Sequence, residues 1–545
     1  MMSQFKFHCA VILVILAGCE VGPDFKPPKM TVAPSFGDIA AAQPVGSVNS
    51  SRVIAIHWWR SFNDPELDSL INRAVKNNLD LRNAQLRLRQ TRAQRGVVGS
   101  ELWPEINADG GYQHARGSKN VVIPLGAFGG SSGSSSAASS ATASNSKSTS
   151  ASGIIATPFQ SGDSTGGGET TTGGAAASSA PLGGPQSPLG NGGFPGVTTD
   201  LYQAGFDASW EIDIFGGQRR AIEAADADTL AAIEDQRDVM VSLLAEVARD
   251  YIELRTAQVQ SQIAEQNLHD EQDTLDLTRS RYRAGFATDL DVARQAAEVA
   301  STAATLPAYE AEVREMIHAL GVLLGQDPES LSVELSTFSP LPPVPPVVPV
   351  GVPADLVRRR PDIRRAEQQL AAASARIGVA TADFYPKFSI TGSFGLDSSQ
   401  IKELFDWNSH YFALSPGITW PIFDAGRIHN NVEVQKALAR EAMTTYQLAV
   451  LGAIREVEDS LASYRTEQLR RQSLFEAVNE SQQAVELARQ QYEKGVIDFL
   501  EVLDTQRTLL EAQNVLAQSD SAISLDLVTL YKALGGGWET GPSTQ

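Results

Sequence analysis

Four stretches of the chain alternate apolar and polar residues with a period of two. Ile106, Ala108, Gly110 and Tyr112 alternate with Asn107, Asp109 and Gln113. Phe206, Ala208, Trp210, Ile212 and Ile214 alternate with Asp207, Ser209, Glu211 and Asp213. Further on, Phe388, Ile390 and Phe394 stand against Ser389, Thr391 and Ser393, and Phe412, Leu414, Ile418, Trp420 and Ile422 keep one parity. A period of two gives an extended strand one apolar and one polar face. Two other stretches move in steps of three and four. Met240, Leu244, Val247, Tyr251 and Leu254 form one seam; Val450, Ile454, Val457, Leu461 and Tyr464 form the other. This heptad-like spacing predicts long helices packed side by side. No proline interrupts 218–283, so a helix is expected from about Gln218 to Arg283, ~100 Å long at the α-helical rise. Return helices are expected from about Asp289 to Leu324 and from about Phe499 to Leu534.

The pattern occurs twice. Leu277, Arg279, Tyr282, Gly285, Leu290 and Val292 recur as Leu487, Arg489, Tyr492, Gly495, Leu500 and Val502, an offset of 210. Upstream, Asp80, Arg82, Ala84, Gly96, Pro104 and Gly110 recur as Asp362, Arg364, Ala366, Gly378, Pro386 and Gly392, an offset of 282. The offsets differ by 72 because the first half carries a longer insert, 113–200, rich in Gly, Ser, Ala and Thr. Its composition predicts a flexible exposed loop. The organisation expected is a leader, 1–18; an N-terminal segment, 19–62; a first repeat, 63–325; a Pro-rich connector, 326–352, with extended chain expected over Ser339–Pro353; a second repeat, 353–535; and a tail, 536–545.

Composition narrows the chemistry. With 64 Asp+Glu against 44 Lys+Arg and a net charge of -20, the chain lacks the basic balance expected of a nucleic-acid binder. Its two cysteines, Cys9 and Cys19, both lie at the extreme N-terminus. The body therefore has no thiol for a disulfide, metal or nucleophile. Seven scattered histidines show no metal-ligand spacing. No catalytic residue, metal site or cofactor is expected. Lys6, the apolar run Cys9–Ala17 and Leu16-Ala17-Gly18-Cys19 read as an export signal ending in a lipobox-like motif. Cleavage before Cys19 and acylation of that residue are expected, with several acyl chains giving a durable anchor.

The alternating segments approach the ~9–11 residues of a membrane strand, with the apolar-out, polar-in pattern of an outer-membrane barrel. Trp210 and Trp420 suit an interfacial aromatic belt. Four strands cannot close a barrel, for which ~8 is the practical minimum, and lipid does not tolerate an open edge. Several copies must therefore share one barrel. Two copies would supply eight strands and three would supply twelve, and the spacing alone does not choose.

Cys19–Pro28 (CEVGPDFKPP), Arg358–Gly395 with its RRRPDIRRAE opening, Ser209–Ala221 (SWEIDIFGGQRRA) and Trp420–Arg427 (WPIFDAGR) carry a family resemblance. The chain resembles the outer-membrane factor family, in particular its TolC/NodT-type, OprM-like efflux lipoproteins. The resemblance implies an α+β membrane protein. Three copies would complete a 12-stranded β-barrel, continued by a periplasmic α-helical barrel with a mixed equatorial region. It implies an outer-membrane exit duct that conducts drugs or other toxic solutes passively, served by a periplasmic adaptor and an inner-membrane pump. By the same resemblance, Ala284, Gly285 and Phe286 and Lys494, Gly495 and Val496 are adaptor-contacting tips. Glu501, Asp504 and Asp291 are candidates for an acidic periplasmic gate, while Ile497 replaces a basic residue that joins the closing network in some members. Independently, Gly285 and Gly495 suit left-handed helix ends. Thr288-x-x-Asp291 and Asp498-x-x-Glu501 fit capping boxes, which would account for Asp291 and Glu501 but not Asp504. Two other functions fit less of the sequence: the channel of a type I protein secretion system, and a structural or adhesive surface lipoprotein, whose best support is the Ser/Gly-rich insert.

Overall fold

The computed structural model describes residues 20–28, 30, 47–49, 57–116, 198–345, 347–349 and 359–538. Cys19, the leader and most of the 113–200 insert lie outside the described residues. The chain forms a helical unit, drawn from 1–103, 211–389 and 418–545, and a strand unit, 104–210 with 390–417.

The helical unit begins with α1, Pro65–Asn77. Asp64 caps it by accepting from the Glu66 and Leu67 amides at 2.8 and 3.1 Å, with Pro65 in the first turn, as its missing donor allows. Leu67, Leu70, Ile71 and Ala74 make its buried face, the spacing of an amphipathic helix. Asn78 then caps α2, Leu79–Ser100. The long helices are α3, Gly217–Arg283, and α4, Asp289–Leu323, in the first half. The second half has α5, Pro361–Ala382, then α6, Arg427–Glu493, and α7, Phe499–Ala533. The offset of 210 carries both ends of α3 onto α6 and both ends of α4 onto α7; the offset of 282 carries α2 onto α5. α3 and α6 each have 67 residues, ~100 Å of helix. None of the described helices is long and apolar enough to cross a membrane.

The main core gathers Trp58, Trp59 and Phe62, the buried face of α1, and the seam Met240, Leu244, Val247, Tyr251 and Leu254 of α3. Val457, Leu461 and Tyr464 of α6 and Leu527, Leu530 and Tyr531 of α7 complete it. An ion-pair ladder joins α5 to α3. Arg364 meets Glu234 at 2.8 Å, Arg365 meets Asp235 at 2.7 Å, and Arg376 meets Asp228 at 2.6 Å. The RR pair of the RRRPDIRRAE stretch thus faces a row of carboxylates. The C-terminal residues fold back on the same region: the Trp538 ring lies 4.5 Å from the Arg237 guanidinium and 5.6 Å from that of Arg364. The described part of the expected tail, Gly536–Trp538, packs against this region.

A short parallel pair, β1 (Ser47–Asn49) with β4 (Val347–Pro349), ties the N-terminal segment to the Pro-rich connector. The strand unit is a four-stranded sheet of β2 (Glu105–Arg116), β3 (Thr198–Ile212), β5 (Lys387–Ser398) and β6 (His410–Thr419), in the order β2-β3-β5-β6. β2 and β3 are antiparallel, with Glu105 opposite Ser209 and Arg116 opposite Thr198. The ladder therefore takes in both ends of the stretch expected to be loop, 113–116 and 198–200. It also stops short of three expected positions. Ile214 lies beyond β3 and Trp420 and Ile422 beyond β6, where Pro421 can offer no ladder donor. The apolar face of the sheet is bare: Phe206 is 58 % exposed, Phe412 77 % and Leu414 72 %.

Candidate functional site

The two helix-to-helix turns are built alike. Gly285 has φ 81° and Gly495 φ 71°, a left-handed conformation that glycine adopts without strain. The Gly285 amide donates to the Tyr282 carbonyl at 2.9 Å and the Phe286 amide to the Arg281 carbonyl at 2.8 Å. Gly495 to Tyr492 and Val496 to Gln491 repeat this pairing at 2.9 Å each. Both helices thus end in a Schellman motif, which satisfies two otherwise unpaired carbonyls. The six residues of the expected tips surround these turns. Phe286 and Val496 project into solvent, 76 % and 68 % exposed, so apolar surface is offered at both turns.

The starts of the return helices differ. Thr288 caps α4 as expected. Its amide and hydroxyl donate to one Asp291 oxygen at 2.9 and 2.7 Å, and its Oγ1 accepts from the Asp291 amide at 3.2 Å. The Asp291 carboxylate is engaged in this cap. The second capping box, expected at Asp498-x-x-Glu501, is absent: the Asp498 side chain makes no capping bond. Apolar contact holds that helix start instead. Phe499, Val502 and Leu503 bury against Ala488 and Tyr492, with Leu277 and Ile497 packed on the cluster. Ile497 therefore serves as part of an apolar tip. Glu501 and Asp504 remain exposed on α7.

Three links between the hairpins were not legible in the local pattern. Arg281, at the end of α3, donates to the Glu493 carbonyl at 2.9 Å and lies 4.5 Å over the Tyr492 ring, a cation–π geometry. Arg507 on α7 pairs with Glu298 on α4 through Nε at 2.9 Å and also through Nη2. The third is a buried polar layer. Gln506 donates to Thr274 Oγ1 at 3.0 Å, Gln295 to the Glu271 carbonyl at 2.9 Å, and Thr302 to Glu271 Oε1 at 3.0 Å. Burial pushes the Glu271 carboxyl above its usual range, the Thr302 hydrogen bond opposes this, and the Glu298 charge adds to it. The offset of 210 puts Ser481, Ala484 and Ala512 where α3 and α4 have Glu271, Thr274 and Thr302, so this layer could have been noticed as a departure from the repeat.

Trp420, one residue beyond β6, is 57 % exposed and its indole N–H donates to the Phe384 carbonyl at 3.0 Å. Trp210, by contrast, sits within β3. No group of His, Cys, Asp or Glu among the described residues is arranged to hold a metal ion. Cys19 lies outside the described residues.

The family model described as "Outer membrane efflux protein" matches residues 70–146, 170–326 and 352–536. The pyoverdine export outer membrane protein OpmQ of Pseudomonas aeruginosa is 32% identical over 485 residues, 89% of this chain and 88% of its own. The toluene efflux pump outer membrane protein TtgF of Pseudomonas putida is 31% identical over 533 residues, 96% of this chain and 95% of its own. Among solved structures, the outer-membrane channel OprN matches with a TM-score of 0.78 and 31% identity, over 96% of this chain and 100% of that one. These matches run through both halves, the long hairpins and the strand segments. The chain belongs to the outer membrane efflux protein family, whose members are outer-membrane channels and not enzymes.

Proposed function

We propose that this protein is the outer-membrane exit duct of a tripartite efflux system, of the type driven by an RND pump, and that it works as a homotrimer. One observation carries the reading: a four-stranded sheet whose edge strands, β2 and β6, have no further partner among the described residues and whose apolar face is bare. A barrel needs ~8 strands, and an edge left open in lipid would strand its backbone polar groups. Three copies of four strands give a closed barrel of twelve. The exposed apolar residues of α6, among them Leu448 at 65 % and Leu451 at 60 %, supply surface for copy-to-copy packing in a helical barrel.

In this reading Phe286 and Val496, with the glycine turns behind them, meet a periplasmic adaptor. Asp504 is the foremost gate residue, because it is exposed and, unlike Asp291, is not drawn into a helix cap. A ring of such carboxylates at a narrowing favours cations and repels anions. Glu501 stands one turn away on the same helix. Trp210 and Trp420 serve as interfacial aromatics, and lipid on Cys19 anchors the chain. The cargo is what the cognate pump delivers. Relatives of nearly equal identity are named for pyoverdine and for toluene, so overall similarity does not select a substrate.

Single-channel recording in planar bilayers, with the trimer fixed by chemical crosslinking, tests the reading. The wild-type trimer is expected to conduct, and Asp504→Ala to change conductance or cation preference. Unchanged traces would remove Asp504 from the gate. A protein that never conducts and disperses as single copies would end the duct reading altogether.

A further inference from the structure

The segment just after Cys19 is held in place by a built socket. Arg220, in the first turn of α3, has a side chain only 4 % exposed. Its guanidinium donates to the Val21 carbonyl at 3.2 Å, to Asp24 at 2.7 Å and to Glu223 at 2.7 Å, and lies 3.4 Å from Glu20. The Val21 amide donates to the Phe215 carbonyl at 3.1 Å. Three glycines make room for this passage. A Cβ on Gly22 would come within 2.4 Å of Gly378 Cα, one on Gly216 within 3.0 Å of Glu20 Cα, and one on Gly378 within 2.8 Å of Arg220 Cγ. Gly22 and Gly216 also have positive φ, 104° and 81°. A buried arginine with three carboxylates and a carbonyl around it, approached by backbone through glycine-only gaps, is a receptor for a specific strand of chain.

We propose that Arg220, Gly216 and Gly378 form a docking socket, entered by Gly22, that fixes residues 20–24 at the junction of β3 and α3, so that the anchor's point of entry into the chain is set by the fold. The proposal rests on the reading of Cys19 as the acylated residue. Phe215 and Gly216 stand three and four residues beyond the end of β3. One peptide unit, about 3.8 Å of chain, separates Glu20 from Cys19. With the socket filled, the acyl chains leave the protein at the level where the strand passes into the helix. With it empty, 19–28 become a slack tether that no longer registers the lipid with the start of α3. Arg220 acts here as a positioning residue, and its partners Glu20 and Asp24 lie on the docked segment itself.

Amide hydrogen exchange on the full acylated chain in lipid nanodiscs tests the socket, read at Val21 and across 240–254 of α3. Arg220→Ala is expected to speed exchange at Val21 about tenfold or more, since a charge-assisted network is lost, while 240–254 stay protected. Arg220→Lys keeps the charge without the fork and is expected to restore part of the protection. Arg249→Ala, whose side chain is 59 % exposed and remote in sequence from the socket, is expected to change nothing at Val21. Should Arg220→Ala fail to fold, Asp24→Ala decides, because that side chain is 82 % exposed and leaves α3 intact; it is expected to speed Val21 exchange about threefold or more. Val21 exchange already unprotected in the wild type, or unmoved in these variants, overturns the socket. Mass spectrometry of the N-terminal peptide separates the two ideas. Missing acyl mass refutes the anchor and leaves the socket measurable, whereas acyl mass with an unprotected Val21 refutes the socket alone.

Discussion

The first hairpin, α3 with α4, and the second, α6 with α7, share lengths of 67 and 35 residues and the same glycine turn. Their tips are nonetheless secured by different chemistry. A Thr–Asp capping box starts α4, whereas an apolar cluster around Phe499 starts α7. The helices also differ in how much they are enclosed. Of the residues of α3, 27 are buried, against 11 in α6, so α3 forms the inside of the helical unit and α6 turns much of its surface outward. A duplicated backbone has thus been kept while its side chains were divided between two tasks. The first hairpin builds the interior and carries the polar layer at Glu271; the second leaves apolar side chains such as Leu448 and Leu451 exposed. The glycine turns belong to the shared framework, since both helices end in the same left-handed glycine and backbone pairing.

The comparison is most severely tested at Phe499. Its ring is 3 % exposed and meets Tyr492 edge to face at 5.6 Å. Phe499→Ala removes the centre of the only glue found at that helix start among the described residues, and is expected to cost about 3 kcal/mol or more. The loss should be local. Exchange protection near Ala488 and Tyr492 should fall, with a smaller fall near Leu277 and Arg281, which touch the cluster, while the start of α4, held by Thr288 and Asp291, keeps its own. Equal loosening of both tips would mean that the hairpins are not secured independently.

A second test uses pH. Asp250 on α3 and Asp526 on α7 are both pushed up to about 6, in each case chiefly by burial. The nearby Arg249 partly offsets this at Asp250, while Glu467 adds to it at Asp526. A carboxyl raised in the fold binds protons more tightly there than in the unfolded chain. Its contribution is therefore fully present below about pH 4 and is lost as pH rises through about 6. Asp526→Asn should raise stability at pH 7 and flatten the pH dependence between those limits. Water still reaching Asp526 screens the effect to on the order of 1–2 kcal/mol. Thermal melts at pH 4 and pH 7 read it directly. A smaller gain is expected from Asp250→Asn, because it also removes the partner of Arg249.

Much of this framework is legible before any coordinates. The period of 3 and 4 through Met240, Leu244 and Val247 gives the seam, the turn glycines give the helix ends, and the offset transfers both to the second half. Those features are local or periodic, so sequence carries them. The Arg281–Tyr492 and Glu298–Arg507 contacts join residues about two hundred positions apart, and no local spacing encodes them. Arg220 was hidden for the same reason, its partners being Glu20 and Asp24. The strand ends were misplaced because alternation continues through Ile214 and Ile422, past the point where the ladder has run out of partners. Asp498 misled in another way: its sequence fits a cap, but the docking of Phe499 settles how the chain enters α7.

That last difference gives the finest comparison. Thr288→Ala removes a hydroxyl that receives the Asp291 amide and donates to its carboxylate, and losing such a cap costs about 1 kcal/mol. Asp498→Ala, at the matching position in the second hairpin, removes a side chain that caps nothing, and is expected to cost less than about 0.5 kcal/mol. Denaturant titration of the two variants side by side measures the contrast, and the double variant should give the sum, since the sites share no partner. A loss at Asp498 as large as that at Thr288 would mean that the second box forms in solution after all. The two tips would then be alike in polar as well as backbone design, and the apolar cluster would be an addition to the cap rather than a replacement for it.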